Sequence, residues 1–542
     1  MVKIILVFLY LYPKAVSAKN AIYYVSPCTG NDKNSGLSQT TAWRTIARVN
    51  TMQFSAGDKI LFDSECSNIQ GNIFFDKNDV GSAVNPITIS SYGSGRATIY
   101  AGNGVGLSAN NTAGFVIKNL DFSAKGSNNI HSGIQFFSST NTDYLDYVLI
   151  ENCTVSYFGA TGINFITKVS KGYSNVRINH CEVFDNIKTG VYFGSKNDAY
   201  AHKNVEVNYV KAYNNKGSQV ITEYSSGSGI IVSGTDKALI QYCVAYNNGE
   251  LNGWKGGGPV GIWFYNTKNG IIQYCESYGN KAGKQHDGGG FDIDGGCQNC
   301  IIQYCYSHDN EGYGYALLEY GSTNTFTNNT IRYNISQNDA RKNGLGAINI
   351  WAVDSNHKIN DSFIYNNTFY VTKSNLAGTD IPTGIYIQNA NMFHTKVVNN
   401  IFYLSDSLPF AKSFGEPITT SQLLVLNNCY YNSNGSYNFN WGNNYSSFLS
   451  WRSGSFQEQY AGVQYGKTVD PQLTSVGNAG TVGFNGNLTA LNNYKLLPKS
   501  SIINSGLNLN AVFGISVGDR DFYGNNLSKV DSFSIGAHQT IK

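Results

Sequence analysis

A short motif recurs along the chain at intervals of 28 to 34 residues. Each copy alternates apolar and polar residues, then has a polar turn residue, often Asn or Tyr, and then one more core position. The copies end at Leu120, Cys153, Cys181, Val210, Cys243, Cys275, Cys305, Asn334, Thr368, Ile401 and Cys429. Self-similarity at a fixed period of this size is typical of a solenoid, in which each unit packs only against its neighbours.

The period and the alternation together indicate which kind of solenoid this is. A unit of about thirty residues is too short for a helix, a strand and their turns, and its apolar positions repeat every second residue. The units are therefore predicted to be short strands that stack in parallel, giving an all-β helix of about a dozen coils. Stacking places equivalent residues ~4.8 Å apart, so Cys243, Cys275 and Cys305 are expected to form an inward column of buried thiols.

The composition is uniform along the chain, which favours one continuous solenoid over several domains. Only 13 % of the residues are charged, and the net charge of +3 is spread without a basic stripe. A nucleic-acid partner is therefore not expected. No second zinc-type pair accompanies Cys297 and Cys300, so this CxxC is not predicted to bind zinc.

The first residues resemble a secretory signal. Lys3 precedes an apolar run from Ile4 to Tyr12, and Val16-Ser17-Ala18 supplies small residues for cleavage after Ala18. We therefore expect a secreted, extracellular protein without membrane insertion, as a monomer or an oligomer that the sequence does not define. The predicted organisation is a signal peptide at 1–18, an N-terminal cap and first coils at 19–110, a core with a groove at 111–430, and C-terminal coils with a cap at 431–542.

Several segments resemble a known family. YYVSPCTGNDKNSGLSQTTAWRTIARVN with AGDKILF, and YKLLPKSSIINSG with DRDFYGN and SIGAHQ, are similar to the two ends of pectate-lyase-like β-helix proteins that act on polysaccharides. HDGGGFDIDGGCQNCIIQYCYSHDNEGYGYALLEYGS and RYNISQNDARKNG resemble repeats of β-helix glycoside hydrolases. The resemblance implies a right-handed parallel β-helix and a polysaccharide or oligosaccharide as the substrate. Cys28 and Cys66, both within the N-terminal cap of an exported chain, are predicted to form a disulfide.

A second strand recurs in most coils, and its outward positions collect acids and aromatics. GFDIDG from Gly290 places Asp292 and Asp294 outward, and YALLEY, aligned with a slip of one residue, is predicted to place Leu317 and Glu319 outward. Asp294 and Glu319 would then be ~4.8 Å apart in neighbouring coils, and Asp292 and Asp294 ~6.6 Å apart on one strand. Both separations suit the carboxyl pair of a glycosidase, and close like charges should raise one pKa as a general acid requires. Asp292, Asp294 and Glu319 are the predicted catalytic residues.

Further residues are predicted to bind the substrate around these acids. The outward residues Trp263, Tyr265, Asn349 and Trp351 lie in neighbouring coils, and aromatic rings can stack on sugars. Loop residues of the same coils complete the candidate set: His286, Asp287, His308, Asp309, Arg341 and Lys342. The long segment Gly249–Pro259 is expected to form a wall of the groove.

Three functions are compatible with these residues. The first is a glycoside hydrolase that uses paired carboxylates and no cofactor. The second is a polysaccharide lyase, in which Arg341, Lys342 or Lys255 is the base and Asp292 with Asp294 can hold calcium. The third is a non-catalytic glycan-binding or adhesive β-helix, which would keep the aromatics without needing paired acids. The sequence lacks the DPHE-like motif of mannuronan epimerases.

Overall fold

The computed structural model describes residues 14–16, 20–284, 287–376, 381–415, 417–484, 486–530 and 532–540. The predicted signal peptide thus falls mainly outside the described residues, as does the cleavage position after Ala18. Among the described residues, no helix has both the length and the apolar character needed to cross a membrane.

The chain winds into a solenoid of about 12 turns with three strands in a typical turn. The strands of each face pair in parallel with those of the turns before and after. We number the faces in the order in which the chain reaches them after the repeated motif begins. The prediction of an all-β parallel β-helix is confirmed.

Face 1 contains the recurring motif. Its strands are Ile22–Val25, Lys59–Asp63, Ile87–Tyr92, Phe115–Lys118, Leu145–Glu151, Tyr173–Asn179, His202–Asn208, Ile301–Gln303, Thr330–Arg332, Phe363–Tyr365, Thr395–Val398 and Leu423–Leu426. Two strands, Ser228–Gln241 and Val260–Gln273, run through both face 3 and the following face 1.

Face 2 is a sheet of 13 strands. They are Ile69–Gln70, Ala97–Tyr100, Leu120–Ser123, Thr154–Ser156, Glu182–Phe184, Lys211–Tyr213, Val244–Tyr246, Glu276–Tyr278, Tyr306–His308, Ile335–Gln337, Thr368–Val371, Ile401–Leu404 and Cys429–Asn432.

Face 3 contains the second recurring strand, on which the acids lie. Besides the two long strands, it consists of Ile73–Phe75, Leu107–Asn110, Ile134–Ser138, Thr161–Thr167, Thr189–Gly194, Gly289–Asp294, Tyr315–Glu319, Gly346–Ala352, Thr383–Ile387, Pro409–Ser413 and Asn438–Trp441.

Shorter elements lie at the ends and corners. The helices are Ile46–Val49, Phe448–Ser455 and Leu509–Phe513, with single 3-10 turns at Gln39–Thr41, Leu488–Ala490, Asn492–Tyr494 and Leu527–Lys529. Additional short strands are Ala15–Val16, Met52–Gln53, Phe326–Thr327, Ile359–Asn360, Met392–Phe393, Asn443–Tyr445, Gln459–Tyr460 and Val463–Gln464.

The core is the inside of the solenoid, and the turn after face 1 explains the repeated motif. The turn residue has a left-handed backbone, for example Asn152 with φ 51° and Tyr209 with φ 51°. Asn tolerates this conformation better than most residues. The next residue then points inward, which buries Cys153 and Cys181 completely. The predicted inward thiols of Cys243, Cys275 and Cys305 are likewise fully buried.

The N-terminal cap is covalently tied to the first coils. Cys28 and Cys66 are joined by a disulfide with Cα atoms 6.0 Å apart. At the other end, the chain beyond residue 470 returns along the outside of the solenoid, where buried Tyr494 donates a hydrogen bond of 2.6 Å to Gln337. The C-terminal end of the apolar interior is covered by the helix Phe448–Ser455, whose buried Trp451 stacks on Phe439 with ring centres 4.2 Å apart.

Candidate functional site

Asp292 and Asp294 lie on the outer side of face 3, as the alternation predicts. Their neighbours Phe291 and Ile293 are completely buried in the core, so the two acids point away from it. Asp292 lies between Trp263 of the preceding coil and Ala316 of the next. Asp294 pairs with Tyr265.

Outward direction does not make Asp292 exposed. Only 2 % of its surface is accessible, and it lies beside Ala316 and Tyr313, which both belong to a buried apolar cluster. The Tyr313 hydroxyl donates to Oδ2 at 3.2 Å, and Oδ1 has no protein partner within the described chain. Burial, reinforced by the charges of Asp294 and Asp287, raises the pKa of Asp292 well above its usual range. The environment of Asp292 therefore favours its protonated, neutral form.

Asp294 is the more accessible of the two acids. It is partly buried, and its Oδ1 accepts a hydrogen bond of 2.6 Å from the N–H of Gly295. Burial raises the pKa of Asp294 well above its usual range, partly offset by the Gly295 hydrogen bond and reinforced by the charges of Glu319 and Asp287. A carboxyl whose pKa is raised in this way is suited to general acid catalysis.

Asp287 is the third carboxyl of this cluster. It lies two residues before the start of the strand Gly289–Asp294, is 9 % exposed, and accepts a hydrogen bond from the N–H of Gly258. Its charge contributes to the raised pKa of both Asp292 and Asp294. We call Asp287, Asp292 and Asp294 the acid pocket. The neighbouring His286 lies outside the described residues.

The segment Gly249–Pro259 lies against the acid pocket, where it was expected to form a wall. A Cβ at Gly257 would be 3.3 Å from Asp287 Oδ2 and 3.9 Å from the ring of Tyr320. The loop backbone therefore approaches both residues at a distance that leaves little room for a larger side chain. Tyr320 remains 44 % exposed beside it.

The predicted outward position of Glu319 is wrong. The observed register pairs Asp292 with Ala316 and Ile293 with Leu317, so the outward residues of this strand are Ala316 and Leu318. Leu317 is fully buried in the core, and Tyr315 points inward to stack on Phe291 at 5.3 Å. The sequence alignment had assumed a shift of one residue in this strand. That shift wrongly assigned Leu317 and Glu319, instead of Ala316 and Leu318, to the outer side.

Glu319 instead holds the turns at the end of the strand. It is 1 % exposed and accepts hydrogen bonds from the N–H groups of Gly296 at 2.9 Å, Gly321 at 2.8 Å and Ser322 at 3.0 Å. Burial raises the pKa of Glu319, and these three N–H groups oppose that rise. Glu319 therefore supports the strand end next to Asp294.

The predicted aromatic residues lie around the acid pocket. Trp263 and Tyr265 are both partly buried, and the Tyr265 hydroxyl donates to Asp198 at 3.5 Å. Burial raises the pKa of Tyr265, so the phenol stays protonated. Trp351 lies beyond Leu318 on the same face and contacts Tyr320, with ring centres 5.7 Å apart.

Asn349 is one coil beyond Ala316 in the column of Asp292. It is 1 % exposed, and its Oδ1 accepts a hydrogen bond of 3.2 Å from Gln388. Its Nδ2 has no protein partner among the described residues. The side chain can therefore still donate to a ligand that reaches it.

His308 and Asp309 are not part of this site, because they lie at face 2. The His308 ring is 3.2 Å from Glu276 and 2.8 Å from Asp309. Despite the opposing effect of burial, these two acids raise the pKa of His308 to about 9. Glu276 also accepts from the N–H groups of Val482 and Gly483, so the network attaches the returning C-terminal chain.

Arg341 and Lys342 also have structural partners away from the acids. Arg341 donates to the carbonyl oxygens of Asp339 and Thr372 at 2.9 and 2.8 Å. Lys342 donates to the carbonyl of Gly283 at 2.9 Å, in the loop that precedes Asp287. Lys342 thereby supports that loop, and neither side chain is placed as a base beside the acid pocket.

A groove of about 540 Å³ extends along face 3 from Trp263 toward the N-terminal coils. Neutral polar side chains and aromatic rings contribute most of its lining, which comprises Ile130, His131, Ser132, Gln135, Ala160, Thr161, Asn164, Ile166, Lys188, Thr189, Tyr192, Tyr224, Ser225, Ile231 and Trp263. The column Gln135–Asn164–Tyr192–Ile231–Trp263–Asp292 joins the groove to the acid pocket. Of this column, the sequence identified Trp263 and Asp292 as site residues. It did not identify Tyr313, which comes from a loop before the next strand.

Calcium fits the acid pocket poorly. Calcium takes six to eight oxygen ligands, whereas Asp292 is buried and one of its two oxygens already accepts a hydrogen bond from Tyr313. Within the described part of the chain, no three His, Cys, Asp or Glu side chains are grouped as a metal site.

Comparison with known proteins agrees with this architecture. The family "Right handed beta helix region" matches residues 208–335, which include the acid pocket. The chain is a right-handed parallel β-helix. The right-handed parallel β-helix that the sequence resemblance implied is thus confirmed.

The similar proteins are carbohydrate-active enzymes. A segment of 94 residues is 34 % identical to a lacto-N-biosidase of Bifidobacterium longum subsp. longum, covering 16 % of this chain and 6 % of that protein. The crystal structure of the GH136 lacto-N-biosidase from Eubacterium ramulus has a TM-score of 0.48 at 18 % identity, with 68 % of each chain covered. A pectate lyase structure has a TM-score of 0.45 at 16 % identity, with 97 % of each chain covered.

Proposed function

We propose that this right-handed β-helix is an exported glycoside hydrolase that cleaves an oligosaccharide or polysaccharide at the acid pocket. The observation that carries the proposal is the raised pKa of Asp292 and Asp294, one coil from Trp263 at the end of the groove. The signal-like N terminus and the disulfide of the cap support export. The short match to a lacto-N-biosidase supports an oligosaccharide as the substrate class.

The accessibility of the three acids suggests how they divide the reaction. Asp294 is the least buried of the three residues and its pKa is raised, so it is assigned to protonate the leaving oxygen of the glycosidic bond. Asp287 is more accessible than Asp292 and serves as the second carboxyl, acting as base or nucleophile. Asp292 is a positioning residue: it is buried and accepts a hydrogen bond from Tyr313, on the same strand as Asp294.

The aromatic residues supply binding surface for the sugars. Trp263 lies next to Asp292 in the preceding coil, and Trp351 with Tyr320 lies on the opposite side of the acids. Aromatic rings at these two positions can contact sugar units on both sides of the cleaved bond. The pocket between them is partly closed by Gly257 and its loop, which limits water around the reacting atoms.

The proposal is tested by substituting each acid. Asp294→Asn and Asp287→Asn should each lower kcat by about a thousandfold or more, because each loses a proton-transfer or nucleophilic group. Asp292→Asn should retain measurable activity. Asp143→Asn is the matched control, since Asp143 is exposed and paired with Lys171 at 2.8 Å on the surface.

The assay also separates the alternative reactions. Activity on a glycan panel is followed by new reducing ends and by the absorbance of unsaturated uronate. Reducing ends without that absorbance support hydrolysis, whereas the absorbance together with a requirement for calcium would support a lyase that uses exposed Lys255. Unchanged turnover in the Asp294 and Asp287 variants would contradict the assignment. Glycan binding without any product would favour a non-catalytic binder.

A further inference from the structure

The groove beside the acid pocket has the features of a ligand site that is not filled by the protein. Asn164 projects from face 3 and is only 6 % exposed, yet its Oδ1 has no hydrogen-bond partner among the described residues. The Ser225 hydroxyl in the same lining also lacks one. A buried polar atom without a partner costs free energy, and a bound hydroxylated ligand would satisfy both.

The charge of the groove differs from that of the acid pocket. The fifteen described lining residues include no Asp or Glu, but they include Lys188. The Lys188 ammonium lies 5.0 Å from the centre of the Tyr224 ring, which holds it by a cation–π contact. The groove lining thus presents a positioned cation without a carboxylate of its own to pair with.

The stacking of the coils fixes the distance between this cation and the acids. Val191, Ile230, Ile262 and Phe291 pair in succession, so three coil steps separate the strand that follows Lys188 from the strand of the acids. Lys188 lies three residues before Val191, and Gly288 lies three residues before Phe291. Lys188 and Gly288 therefore occupy equivalent positions in their coils, and Gly288 is next to Asp287. Three steps of ~4.8 Å correspond to ~14 Å along the helix axis.

We infer that the groove selects a saccharide carrying an anionic group, a carboxylate or a sulfate, that pairs with Lys188 about three coils from the cleaved bond. The inference rests on the proposed function only for the statement about the cleaved bond. The sugar at the acid pocket carries no anionic group, because ionised Asp287, whose charge already raises the pKa of Asp292 and Asp294, would repel one. The substrate is therefore neutral at one end and acidic at the other.

The test uses the full chain with Asp294→Asn, which prevents turnover, on an array of matched neutral, sialylated and sulfated oligosaccharides. We expect acidic glycans to bind about tenfold more tightly than their neutral counterparts, as a charge-assisted hydrogen bond contributes. The preference should weaken as salt is raised from 0.05 to 0.5 M. Sialylated and sulfated members distinguish a carboxylate from a sulfate as the anion.

Adding Lys188→Met should abolish the preference for acidic glycans, whereas Lys168→Met should keep it. Lys168 is the matched control because it is exposed and also lies over an aromatic ring, Phe137, at 5.4 Å, outside the groove lining. Thermal unfolding of both variants verifies that the fold is retained. Tighter binding of neutral glycans, an unchanged preference in Lys188→Met, or no binding of any glycan would each overturn the inference. Hydrolysis that depends on Asp294 would still stand in those cases, so the two proposals fail separately.

Discussion

Asp339 makes the stability of this β-helix depend on pH in a way that can be calculated. Inside the solenoid, five asparagines form a ladder in which each Nδ2 donates to the next Oδ1, at 3.2, 3.0, 3.0 and 2.9 Å between Asn186, Asn215, Asn248, Asn280 and Asn310. Asn310 donates to Asp339 Oδ1 at 2.7 Å, and Ser336 donates to Oδ2 at 2.7 Å. The ladder therefore ends on an acid that is completely buried.

Burial raises the pKa of Asp339 from 3.8 to about 6, against the effect of hydrogen bonds from Ser336, Asn310 and Ser307. A folded pKa above the unfolded one means that the native state binds the proton more tightly. The contribution of Asp339 to the stability of the folded protein is therefore greatest below about pH 4, and it is lost as the pH rises to about 6. A shift of about two units at 1.36 kcal/mol each gives a cost of about 3 kcal/mol at pH 8 and about 1 kcal/mol at pH 4.5.

Replacing Asp339 by Asn removes this titration and keeps an Oδ1 to accept from Asn310. Urea denaturation at pH 4.5 and at pH 8 gives the difference in free energy of unfolding between the variant and the wild type. This difference should be about 2 kcal/mol more favourable to the variant at pH 8 than at pH 4.5. In the control Asp143→Asn no such gain is expected, since Lys171 lowers the pKa of exposed Asp143. A stability difference between wild type and Asp339→Asn that does not change with pH would refute the reasoning.

Two further predictions concern the acid pocket. Glu319→Gln should lower the free energy of unfolding by about 2 kcal/mol, because a charged acceptor of three N–H bonds is lost. It should also move the alkaline limit of kcat to lower pH, since removing the neighbouring charge lowers the pKa of Asp294; unchanged Tm and pH profile would contradict both roles. Trp263→Ala should raise KM about tenfold with little change in Tm, because the partly buried ring is expected to contact sugar; an unchanged KM on the cleaved glycan would exclude that contact.

The sequence was sufficient to predict the stacking of face 1 but not the full register of face 3. In face 1, each copy of the motif ends with a turn residue followed by a core residue. These two positions together fix how the copies align with one another. In face 3, the strand around Leu317 and Leu318 offers apolar residues at both parities, and alternation alone does not choose between them. The choice is made by Tyr315, whose ring stacks inside on Phe291.

The placement of loop residues shows a similar limit. Asp287 and His308 were equivalent in the sequence, each a polar residue next to a strand of the same coils. Asp287 reaches the acid pocket because the Gly249–Pro259 loop contacts it, and His308 does not because Glu276 and the returning C-terminal chain hold it at face 2. These contacts join segments 29 to more than 200 residues apart in sequence, which no local pattern reveals.

The buried asparagine ladders show what the repeat encoded beyond its turns. Asn doublets such as Asn247-Asn248 and Asn399-Asn400 recur in the chain, and the first member has the left-handed backbone predicted for a turn, with φ 53° and 56°. The second member points inward and joins a ladder. An amide suits this position because it donates and accepts at once, so each coil satisfies the one before it. A ladder of donors must end on an acceptor. The ladder through Asn248 ends on Asp339, and the ladder through Asn400 ends on Glu458. Burial raises the pKa of Glu458 to about 7. Each ladder therefore ends on a buried carboxyl with a raised pKa, and it is at this last member that the stability of the ladder depends on pH.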